Sequence, residues 1–136
     1  MSTLVQRTSA AFAGGCLGGL VNSFCVWIFG LLGITTSLGV QIAPAIAPAW
    51  LYPRIVWGGI WGILFLLPWK RGSVILRGLI FSLGPTAVQL LVVFPFKTQK
   101  GALGLSLGAL TPLFVVIFNA VWGIATAWWV VRVVEK

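Results

Sequence analysis

From Ile55 to Pro68 the chain carries no charged side chain, and the indoles of Trp57 and Trp61 are its only polar groups. A surface helix of a water-soluble domain keeps one polar face. This run has none. Runs of the same character begin near Ser9, Ser73 and Pro112. A helix needs about 20 apolar residues to cross a hydrocarbon core of ~30 Å. The sequence therefore predicts an all-α integral membrane protein: a four-helix bundle with spans over residues 9–34, 52–69, 73–96 and 112–134, forming a single membrane domain over 1–136.

Charge supports this reading. Only 7% of residues are charged, against roughly 25% in soluble domains. The net charge is +8, nine Lys and Arg against the single acid Glu135. These cations sit at the ends of apolar runs and form no stripe, which fits anionic lipid headgroups and not nucleic acid. Lys70, Arg71 and Arg77 are the candidate lipid contacts. With the N-terminus inside, the cytoplasmic set is Arg7, Lys70, Arg71, Arg77, Arg132 and Lys136, against Arg54, Lys97 and Lys100 outside. The excess of positive charge inside predicts cytoplasmic N- and C-termini. The apolar run after Arg7 is longer than the ~7–15 residues of a secretory signal, so a retained span is expected.

The same composition removes most chemistry. There is no His, and the one carboxylate side chain adjoins the C-terminus. A carboxylate pair, a Ser–His or Cys–His dyad, and a zinc or iron ligand set are all out of reach. No catalytic residue, metal or cofactor is expected. Cys16 and Cys25 lie on opposite faces of one helix at ~100° per residue, so they read as packing residues. The glycine–arginine and Gly-Thr-x-x-x-Asn signatures of fluoride channels are absent, as is the first-span Glu of small multidrug exporters.

Two uncharged stretches, Thr35 to Leu51 and GALGLSLGAL at 101–110, are too apolar for ordinary loops and read as short interfacial segments. Pro44, Pro48 and Pro53 rule out one regular helix through the first. Gly84-Pro85 predicts a kink in the third span, with Ser82 or Thr86 resatisfying the backbone. A duplication is also hinted at. GGLVNS at 18–23 resembles RGLIFS at 77–82, SLG recurs at 37–39 and 106–108, and IWGI at 60–63 resembles VWGI at 121–124. The order suggests a parallel 2+2 internal repeat.

Small residues form the packing faces. Gly14 and Gly18, Gly15 and Gly19, and Gly58 and Gly62 recur at four-residue steps, which lets another helix backbone approach closely, within the chain or on a partner. Each span also carries a small or polar stripe: Gly15, Gly19, Asn22; Arg54, Gly58, Trp61; Gly78, Ser82, Pro85, Gln89; and Asn119, Gly123, Thr126. These stripes should face one another. The expectation for Asn22, Gln89 and Asn119 is glue between helices, with Arg54 snorkelling to the outer interface; the functional alternative is a polar cavity. The first functional reading is a non-catalytic accessory or structural subunit that packs within a larger membrane complex, in contact with anionic lipid and with other subunits or copies of itself. The second is a small oligomeric channel or transporter for a small solute, an anion or a lipid.

Overall fold

The computed structural model describes residues 3–69 and 73–135, so Lys70 and Arg71 lie outside the described residues. The described residues are helical with no strand, and four helices are long and apolar enough to cross a membrane: Leu4–Leu31, Pro48–Leu66, Val74–Lys97 and Thr111–Val134.

The first span is α1, Leu4–Leu31. It begins five residues before the expected Ser9. The Thr3 hydroxyl accepts from Gln6 N at 3.1 Å and Gln6 Oε1 accepts from Thr3 N at 2.8 Å, a capping box that satisfies two orphan donors. After a left-handed Gly33, α2 is a single turn, Ile34–Ser37.

The second span starts at Pro48, not Tyr52, because proline at the first helical position loses no hydrogen bond. It comprises α3, Pro48–Gly62, with Pro53 inside it, and a 3-10 turn, Ile63–Leu66. It ends three residues short of the expected Trp69.

The third span is segmented: α4 (Val74–Phe81), α5 (Leu83–Val88) and a π-helical stretch Gln89–Lys97 that contains Pro95. The α-helix breaks at Ser82, three residues before Pro85, which cannot donate back to the preceding turn. Thr86 Oγ1 donates to Ser82 O and Ser82 Oγ to Leu79 O, each at 2.7 Å, so both hydroxyls serve the local backbone. The second uncharged stretch folds as a 3-10 turn, Ala102–Leu107. The fourth span is α6, Thr111–Val130, continued by a π turn, Val131–Glu135.

The spans run up and down. The first lies antiparallel against both the second and the fourth, and the third against the fourth. The glycines decide this order. A Cβ on Gly15 would strike the Gly58 carbonyl and come within 2.9 Å of the Cα atoms of Gly59 and Gly62. Gly19 lies against the backbone of Arg54 and Ile55, while Gly14 and Gly18 take Trp129, Trp122 and Thr126 of α6. Gly78 and Gly123 make an equivalent backbone contact between the third and fourth spans. Both ridges of α1 are thus used within the chain.

Two apolar clusters fill the core. One lies toward the chain termini: Phe65, Phe81, Trp122, Ala127 and Val130. The other, Val26, Val40, Phe114 and Phe118, lies toward the opposite end. There the two connecting segments meet. Gln41 N donates to Leu107 O at 2.8 Å, and Gly108 rests on the Gly39 carbonyl at a φ of 149°, open chiefly to glycine. We call this the loop end.

A candidate polar cleft between the spans

Between the two clusters lies a belt of polar side chains. Arg54 is six residues into α3, Asn119 eight into α6 and Asn22 nine from the end of α1. At ~1.5 Å per residue each sits about 9–14 Å below the loop end of its helix. Residues from three spans therefore share one level, and the third span joins them through Thr86 and Gln89, which both accept from Asn119.

Arg54 is the centre of the belt. Its guanidinium turns inward, donating from Nε to Ser23 Oγ at 2.9 Å and from Nη2 to Asn22 Oδ1 at 2.6 Å. The Trp50 ring lies 4.7 Å from its charged carbon. The expectation that Arg54 snorkels outward is corrected by this geometry. Two polar partners on α1, one helix turn from Gly19, hold it instead. Asn22 is buried and fixed from its other end, with Nδ2 donating to Phe118 O at 2.6 Å. Ser23 is pinned by its own donation to Gly19 O at 2.7 Å.

On the other side, buried Asn119 donates to Thr86 Oγ1 at 3.1 Å and to Gln89 Oε1 at 3.3 Å. Trp122, one turn further along α6, donates its Nε1 to Gly58 O at 3.2 Å. The amides do bridge helices, as expected of glue, yet they also line open space. A cavity of about 410 Å³ faces the loop end beneath Gln41–Pro44. A second, of about 520 Å³, lies between the second and third spans and includes Trp57, Trp61, Pro85, Val88 and Lys97. Asn22, Arg54, Gln89 and Asn119 border both. The four polar residues singled out in the sequence are thus brought together at the partition between two cavities.

Among the described residues no carboxylate compensates the charge in the cleft. Arg54 is half-buried and bonded to neutral oxygens, and Lys97 is the second cation on the larger cavity. The sole acid, Glu135, belongs to the turn after α6 at the far end. A cation within a span costs ~2.5–3.5 kcal/mol near the bilayer centre on insertion scales. In a bilayer, the neutral acceptors and the Trp50 face would offset part of that cost.

Arg77 departs from expectation. It is fully buried, not on a lipid-facing surface. Its Nη2 donates to Phe65 O at 2.6 Å, and its charged carbon lies 5.4 Å and 5.8 Å from the Phe65 and Phe81 rings. It ties the end of the second span to the start of the third, and its burial leaves no surface for the expected lipid contact. Arg7 reaches the same end, donating to Leu66 O at 3.4 Å. No group of three or more metal-ligating side chains occurs among the described residues.

Comparison of the chain with protein-family models, curated proteins and solved structures finds no match.

Proposed function

We propose that this chain is a non-catalytic multi-pass membrane protein that binds an anion in the cleft around Arg54, as a small binding or transport protein. The observation that carries the reading is the inward guanidinium, aligned by Asn22 and Ser23, beside open space and with no carboxylate near it among the described residues. A half-buried cation with neutral partners is an electrostatic demand that an anion satisfies. The larger cavity, about 520 Å³, falls within the ~300–1,000 Å³ range of small-ligand sites.

Membrane insertion belongs to this proposal, with the loop end outside by the Lys and Arg asymmetry and the two connecting segments at the interface. So does the duplication. Gly19 and Gly78, at matching places in the two similar sequence segments, each cross a glycine of the following span, and the two SLG segments are joined through Gln41 and Leu107. The accessory-subunit reading draws on the absence of reactive groups, the short connections and the glycine ridge; of these, the ridge is occupied within the chain, which removes one of its three supports.

The test is thermal stabilisation of the purified protein in an uncharged detergent by inorganic phosphate and by phosphatidylglycerol. At least one should raise the Tm of the parent, and the increment should vanish in Arg54→Gln and persist in Arg132→Gln, whose exposed side chain stacks on Trp128 away from the cleft. No increment from either anion, or an equal increment in Arg54→Gln, would overturn the proposal.

A further inference from the structure

The larger cavity has two unlike surfaces. One is the polar belt with Arg54 and, toward the loop end, Lys97 and Thr98. The other is Pro53, Trp57 and Trp61 from the second span and Pro85, Val88 and Val93 from the third. These two spans do not lie together along their full length. They are closed toward the termini, where the Phe65 and Phe81 rings meet edge to face at 4.8 Å and Gly84 faces Trp61 and Leu64. The Arg77 bond to Phe65 O fastens the same end. Above that closure they part, and the cavity occupies the gap. Its walls are helix faces, and Trp57 on one rim is more than half exposed. In a bundle that spans a bilayer, such a gap faces acyl chains sideways, not water from above.

A free hydrated anion fits this gap poorly. It would meet Arg54 and Lys97 on one side but lose its water against indole and aliphatic surface on the other. An anionic amphiphile matches both surfaces at once. Resting on the anion-binding reading above, we propose that the ligand is a membrane phospholipid with an anionic phosphate headgroup, which enters laterally between the second and third spans. Its phosphate sits at Arg54 and Lys97, and one acyl chain lies along Trp57, Trp61 and Val88. The Pro85 break and the π-helical stretch from Gln89 let the loop-end half of the third span lean away from the second, which opens the portal. The smaller cavity, roofed by Gln41–Pro44, extends beyond the same polar partition and takes the polar end of the headgroup.

The test uses indole quenching by lipids brominated on the acyl chain. The protein is reconstituted in phosphatidylcholine vesicles in which a fixed fraction is brominated phosphatidylglycerol or brominated phosphatidylcholine. The phosphatidylglycerol arm should quench about twofold more, reflecting occupancy above the bulk average. That excess should disappear in Arg54→Gln, fall by roughly half in Lys97→Gln, an exposed change that leaves the helix core untouched, and shrink in Trp57→Phe/Trp61→Phe. Equal quenching by the two lipids in the parent, or an excess indifferent to both charge changes, overturns the lipid assignment. If inorganic phosphate still stabilises the parent through Arg54 in that event, the cleft holds a soluble anion and only the lateral-entry inference falls. If neither phosphate nor phosphatidylglycerol acts through Arg54, the anion-binding reading falls with it.

Discussion

Asn22 joins three elements with one side chain. Its Oδ1 accepts from Arg54 of the second span and its Nδ2 donates to Phe118 O of the fourth. Asn119 makes longer bonds, and both its partners have alternatives: Thr86 already donates to Ser82 O, and Gln89 is only half-buried. The two amides, equal as intramembrane polar residues in the sequence, are therefore unequal in structure. Asn22→Leu leaves a half-buried guanidinium short of an acceptor, and the expected loss of stability is about 1–3 kcal/mol. Asn119→Leu should cost about 0.6 kcal/mol, the average for interhelical bonds in membranes. Reversible unfolding in mixed micelles measures both, and a larger loss for Asn119→Leu would contradict the network described. The Arg54–Asn22 pair was not legible in the sequence. Its partners are 32 positions apart, and their meeting depends on the depth at which the first two spans cross, which Gly15, Gly19 and Gly58 set. Arg77 was misplaced for a related reason. Near a span end it reads as a topology marker, and nothing local reveals that Phe65 and Phe81 close over it.

At the scale of elements, the glycine pattern carried most of the correct information. Four-residue spacing in α1 and α3 marks a close crossing, and the backbones do approach there. What spacing leaves open is the neighbour, since a ridge can serve the same chain or another. Boundaries were harder. Thr3 and Gln6 form a start signal readable from sequence, and Pro48 a second. Both are outweighed when hydropathy alone sets the ends. The π-helical stretch with Pro95 has no such local signature. The crossing makes a graded prediction. Gly15→Ala pushes a methyl group into the backbone of the second span and should cost about 1–3 kcal/mol, the usual overpacking range. Gly84→Ala meets only the side-chain ends of Leu64 and Trp61, at 3.3 Å. Because Ala favours helix over Gly by up to ~1 kcal/mol, the Tm of Gly84→Ala should stay level or rise. Equal losses in the two variants would mean that the first two spans do not cross where Gly15 and Gly58 meet.

At the scale of the molecule, four apolar helices divide their interior by level: an aromatic cluster near the termini, a polar belt, then a second aromatic cluster beneath two interlocked connections. Hydropathy made the helices and their number legible, because lipid-compatible runs leave few alternatives in a chain with 7% charge. It could not say whether the polar stripes close on each other or enclose space, since both arrangements satisfy the same residues. The central claim is that the belt around Arg54 lines open space, which water reaches through the smaller cavity that faces the loop end while the larger gap opens sideways between the second and third spans. The most direct measurement is thiol labelling in native membranes at Gln89→Cys and, for comparison, at Leu79→Cys on the exposed face of α4, each in a Cys16→Ala/Cys25→Ala background. A small hydrophilic thiol reagent applied from the side that also reaches Thr98→Cys should modify position 89 at least tenfold faster than position 79, and occupancy of the cleft by phosphatidylglycerol should slow it. Equal, slow labelling at positions 79 and 89, unaffected by anionic lipid, would show a dry belt of helix glue and contradict the cleft.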